Sequence, residues 1–198
     1  MAGYPDDYVS YLVYFHAERD YFECHEVLEE YWKEHPEDPN SEAYVVLIQI
    51  AVASYHERRG RRGGAAKMLA GAVERMKRTS LAPLGLDHEE TLQRMERRLQ
   101  ELRGAEREFT DLNLPIADLG LLTACRERCR TMEDWEKPSP MDDIFLVNKH
   151  TLRDRSGVIA ERLKQKQLRL SARGNGQAEG DKPTLEWPLA GKVKDQLQ

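Results

Sequence analysis

The densest chemistry in this chain lies in Tyr21-Phe22-Glu23-Cys24-His25-Glu26-Val27-Leu28-Glu29-Glu30-Tyr31-Trp32, which places one imidazole, one thiol and four carboxylates within twelve residues. At about 100° per residue on a helix, Tyr21, Cys24, Leu28, Tyr31 and Trp32 share one side, and His25 falls inside that apolar sector. Glu29 flanks His25 one turn later, whereas Glu23, Glu26 and Glu30 cluster toward solvent. An imidazole and a carboxylate four residues apart can hydrogen-bond, share a proton or supply two ligands to one divalent metal. His25 and Glu29 are therefore the pair to follow, with Glu26 nearby.

A second segment bears on the same chemistry. Ser41 to Arg58 carries Gln49 and His56, seven apart and so on one helical face. An antiparallel hairpin turning near residue 40 would set His56 opposite His25 and Gln49 opposite Trp32. The candidate ligand site is then His25, Glu26, Glu29, Trp32, Gln49 and His56, with His25, Glu29 and His56 as candidate metal ligands. Imidazole with carboxylate suits zinc, iron, nickel or manganese. The competing reading is a pair of core histidines, satisfied by Glu29, Gln49 or tyrosine hydroxyls, that fixes helix register. Glu29 stands where H-E-x-x-H requires a second histidine. No histidine has an acid three residues before it, so the E-x-x-H of di-iron bundles is missing. Neither a phosphate loop nor G-x-S-x-G occurs, and Cys125 and Cys129 sit on an apolar stripe as small hydrophobes.

These residues need a scaffold, and the periodicity supplies a helical one. Pro5-Asp6-Asp7 opens a helix running to about Glu18. Asp20 with Glu23 resembles a capping box that starts a second near Tyr21, and Pro36 and Pro39 end it near Glu34. Ser41 caps a third, apolar almost all round from Val45 to Ala53 and hence central. Gly60 and Gly63-Gly64 break the chain before a fourth, on which Ala65, Met68, Leu69, Ala72, Val73 and Met76 form a stripe. Asp87 with Glu90 caps a fifth, and Leu121, Leu122, Cys125, Cys129 and Met132 share a face of a sixth. No stretch alternates with period two. The expected fold is an all-α, antiparallel up-and-down bundle of five to six helices over 1–136. A linker (Lys137-Pro138-Ser139-Pro140) with a basic amphipathic helix would follow over 137–170, and a disordered tail containing Trp187 over 171–198.

Charge divides the chain. Up to Glu57, thirteen acids face only Arg19 and Lys33, whereas Arg58 to Thr79 carries eight basic residues and one acid within a net charge of -5. Arg58 to Arg62 read either as an anion-binding surface or as the basic end of a helix, where cations meet the macrodipole. Three scattered cysteines and no apolar run of membrane-spanning length indicate a cytoplasmic protein.

The His-Glu block, followed by Ile48-Gln49-Ile50-Ala51 and then by His56 through Gly60 to Gly64-Ala65, resembles the bacterial and archaeal domain-of-unknown-function family 309 over about residues 8 to 78. Gly60-Arg61 replaces that family's usual Gly-Asn turn. The resemblance implies a small all-α, cytoplasmic bundle in which the His-Glu helix packs on the Gln/His helix, and it implies no activity. Three functions stay open: a polar site for a divalent metal or small ligand, with hydrolytic or proton-transfer chemistry; a non-enzymatic interaction module recruiting a protein partner through the basic helix or tail; and nucleic-acid binding by the basic segments.

Overall fold

The computed structural model describes residues 3–105 and 107–152. They form seven α-helices: α1 Asp6–Val13, α2 Tyr21–Glu34, α3 Ser41–Arg58, α4 Arg62–Met76, α5 His88–Arg103, α6 Leu119–Glu127 and α7 Ile144–Leu152. No strand occurs among the described residues beyond an isolated bridge between Leu86 and Ile116, and none of their helices is long and apolar enough to cross a membrane. The fold is the all-α bundle that the hydrophobic periodicity implies. The expected basic helix beyond Leu152 and the tail with Trp187 lie outside the described residues.

Local signals set the helix ends. Asp20 accepts from the Glu23 N–H at 3.1 Å and Asp87 from the Glu90 N–H at 3.0 Å, so the first turn of α2 and of α5 is capped, each cap contributing about 1 kcal/mol. Asp118 does the same for α6. At α3 the expectation needs correcting. Asn40 occupies the capping position without a side-chain bond, while the Ser41 hydroxyl accepts from Trp32 Nε1 at 2.8 Å. Gly63 and Gly64 lie inside α4 rather than before it; only Gly60, with φ 69°, makes the turn.

Helix α3 is central, buried from Ala43 to Arg58, and packs most extensively on α4 and next on α2. Tyr31 meets Tyr44 and Phe22 meets Tyr55 across α2 and α3, an antiparallel pairing shifted by about one turn from a hairpin centred on residue 40. The cause is the short connection His35–Asn40, whose midpoint lies between residues 37 and 38. Tyr8, Tyr11, Phe15 and Tyr21 are fully buried beside Leu12, Leu28 and Leu47, each contributing on the order of 1.5–3 kcal/mol by leaving water.

Between α1 and α2 the chain forms one wide π turn, Tyr14–Glu18, closed when Arg19 adopts φ 55° and the Asp20 N–H bonds the Tyr14 carbonyl at 3.0 Å. The strain has an evident compensation. Arg19 is 1% exposed and donates to the carbonyls of Lys137, Phe15 and Leu112.

Candidate functional site

His25 lies one turn into α2, its ring against the Phe22 ring edge. Nδ1 is 2.8 Å from the Phe22 carbonyl. A carbonyl only accepts, so Nδ1 carries the proton and Nε2 turns the other way. There it stands 3.1 Å from Glu26 Oε1 and 3.5 Å from Glu29 Oε2, while Lys33 holds the second Glu29 oxygen at 2.7 Å. Ligand atoms of His25, Glu26 and Glu29 all lie within 4.8 Å of one another, the one such group of three among the described residues.

The electrostatics of this arrangement are specific. A neutral imidazole so fixed would aim its remaining lone pair at two carboxylates, so a positive charge belongs between them, either a proton on Nε2 or a cation. Donors about 2.1 Å from a common metal sit about 3.0 Å apart in octahedral and about 3.4 Å in tetrahedral geometry. The Nε2–oxygen distances of 3.1 and 3.5 Å each lie within about 0.1 Å of one of those values. The Nδ1–H to carbonyl bond is also the contact that orients metal-binding histidines. His25 is nearly buried, whereas the side chains of Glu26 and Glu29 are 36% and 21% exposed, which leaves an approach from solvent.

The other predicted residues are placed elsewhere. Trp32 turns to Ser41 rather than to Gln49. Gln49 and His56 occupy the α4 side of α3: Gln49 lies over Gly71, where a Cβ would stand a tight 3.1 Å from its Nε2, and His56 lies over Gly64, where a Cβ would make ordinary van der Waals contact at 3.4 Å from the ring. Two side chains seven apart thus fit two glycines seven apart, which fixes the α3–α4 register. His56 is 2% exposed, and burial, reinforced by the charges of Arg61 and Arg59, pushes it down to about 4. His56 is therefore a neutral packing residue at ordinary pH and is absent from the His25 cluster. Glu26 is the member whose role the helical wheel understates. It sits at the flank, and its side chain is long enough to swing back across one residue.

Several polar centres had no signal in the sequence. Asp111 accepts from Tyr21 at 2.6 Å and from the Ser139 N–H at 2.7 Å, and the Ser139 hydroxyl joins them. Burial alone would raise this carboxyl, but Ser139, Tyr21 and Arg19 outweigh it and hold it below the usual carboxylate range. Residues 137–140 are thereby bound to the bundle. Helix α7 meets the start of α2 and the end of α3: Lys149 bridges Asp20 and Glu23, and Tyr55 bonds His150 Nδ1 at 2.7 Å. Arg58 is buried over the Tyr21 ring and donates to the Arg19 and Leu146 carbonyls. Arg62 donates to the carbonyls of Glu101, Leu102, Gly104 and Ala105 at the end of α5. Two members of the basic run thus serve helix ends and crossings.

Fold and cluster together define a helical-bundle protein with a histidine–carboxylate group on its second helix. The chain belongs to the family described as Domain of unknown function (DUF309), whose model matches residues 8–68, from α1 into α4. It is 43% identical over 173 residues to the uncharacterized protein YpuF of Bacillus subtilis (strain 168), an alignment covering 86% of this chain and 99% of that relative. That likeness extends well beyond the 8–78 stretch whose motifs suggested the family. No solved structure matches the chain at a significant level.

Proposed function

We propose that this protein binds one divalent transition-metal ion through His25 Nε2, Glu26 and Glu29 on the exposed flank of α2. The observation that carries the reading is the imidazole, oriented by the Phe22 carbonyl, facing two carboxylates at 3.1 and 3.5 Å. Three protein ligands leave positions for water or a small ligand, the arrangement of reactive rather than closed structural sites, and Lys33 keeps Glu29 to one available oxygen. Hydrolysis or proton transfer at a metal-bound water is the chemistry such a site supports, in a cytoplasmic setting. The test is elemental mass spectrometry of untagged protein purified without chelator, beside His25→Ala checked for helicity. Near-stoichiometric metal, lost in the folded variant, supports the site; wild type without metal, both as purified and after dialysis against zinc or manganese, overturns it.

A second reading is favoured by the Lys33–Glu29 contact at 2.7 Å: His25 as an imidazolium clamped by Glu26 and Glu29, a structural ion ladder in an interaction module. It predicts that His25→Ala lowers stability while metal never binds. Nucleic-acid binding is weakened by the engagement of Arg58 and Arg62 with backbone carbonyls.

A further inference from the structure

A cleft of about 420 Å³ opens where α5, α6 and the chain around Ile116 and Trp135 meet, on residues that contribute nothing to the His25 cluster. That volume lies within the range of small-molecule sites. Its polar wall is cationic. Arg94 uses Nε on Glu90 and Nη1 on the Asn113 carbonyl, and its Nη2 makes no hydrogen bond among the described residues. Arg126 sits over the Trp135 ring and, among the described residues, donates no side-chain hydrogen bond and meets no acid at ion-pair distance. The one carboxylate in the lining, Glu136, lies 3.6 Å from His16 Nδ1. The Trp135 ring is held in place by stacking on the fully buried His16, centroids 4.7 Å apart and 10° from parallel. Ile116 and Leu122 supply an apolar wall.

We infer that this cleft binds a small monocarboxylate, its oxygens on Arg94 and Arg126 and its hydrocarbon body against Trp135, Ile116 and Leu122. A carboxylate presents two oxygens in the plane of a guanidinium fork, and a single negative charge is tolerated beside Glu136 better than a phosphate dianion is.

The experiment is isothermal titration of the full chain with benzoate, phenyl phosphate and benzamide, repeated on Arg126→Gln and Leu122→Trp with thermal melts as the folding control. Arg126 is exposed and, among the described residues, its side chain holds no hydrogen bond or ion pair to another element, its contact with the Trp135 ring aside, and the melts verify that its variant folds. The expected result is saturable benzoate binding at one per chain, no benzamide binding, at least about a tenfold loss in Arg126→Gln, and loss in Leu122→Trp, which fills the cleft without removing charge. Absence of benzoate binding, equal binding of benzamide, phenyl phosphate binding without benzoate, or unchanged affinity in Arg126→Gln each overturns the inference.

Discussion

Acid should weaken this fold through His56, and the size of the effect follows from where the ring sits. It lies against Gly64 in the α3–α4 seam, where burial and the charges of Arg61 and Arg59 take it from the ordinary 6.5 to about 4. Unfolding returns it to water and lets it take up a proton. The folded value is the lower one, so this contribution is fully present above pH 6.5 and is lost as pH falls toward 4. Two and a half units set its ceiling at about 3 kcal/mol, and between pH 7.5 and 5 about 2 kcal/mol disappears. For a chain of this length that is on the order of 4–8 °C in Tm. His56→Gln keeps comparable size but cannot titrate. Urea unfolding of both proteins at pH 7.5 and 5 isolates the residue, because Asp111 and the other acid-sensitive groups are common to both. Wild type should lose about 2 kcal/mol more than the variant over that interval. Equal losses would show that His56 is not held neutral in the seam, and the account of this helix pair would be wrong.

Glu57 and Arg98 form a buried ion pair at 2.7 Å, both side chains under 10% exposed. Glu57→Gln should cost about 2 kcal/mol, because the buried guanidinium keeps only the partly exposed Glu101, 3.3 Å away, as a counter-charge, and a loss under about 0.5 kcal/mol in chemical denaturation would argue against that geometry. Asp111→Ala should free Ser139 and Tyr21, at about 2–3 kcal/mol, and expose residues 137–140 to limited proteolysis; unchanged cleavage would show that the segment is held by other contacts. Arg62→Ala should speed hydrogen exchange in the last turn of α5 at a cost of about 1 kcal/mol, whereas uniform protection there would contradict the capping role.

What could be read from the sequence, and what could not, divides along the range of the forces involved. Asp20 with Glu23, Pro36 with Pro39, and Asp87 with Glu90 act within one turn of themselves, so the bounds of α2 and the start of α5 were legible. The unbroken apolar run from Val45 to Ala53 likewise marked α3 as central. The π turn at Tyr14–Glu18 was not legible, because it depends on Arg19 finding the Lys137 and Leu112 carbonyls, over ninety residues away. In the candidate site, His25 and Glu29 followed from helical spacing alone. Glu26 entered only as a neighbour, since a wheel plots the direction of Cβ and not the reach of a carboxylate. Helical spacing puts Gln49 and His56 on one face of α3, and that face meets Gly71 and Gly64 of α4, a match of shape that the histidine and glutamine alone do not reveal. Pairing of Asp111 with Ser139 is long-range and leaves no periodic trace.

The central claim is the metal site on α2, and a cobalt(II) titration followed by visible absorption addresses it most directly. Wild type, His25→Ala, Glu26→Gln and His56→Ala should be compared near pH 7.5, then near pH 5, where protons compete for the ligands. The account predicts saturation at one ion per chain in wild type and in folded His56→Ala, strong loss in His25→Ala and Glu26→Gln, and release at the lower pH. An unchanged spectrum in His25→Ala, or no cobalt band in wild type at all, would contradict it.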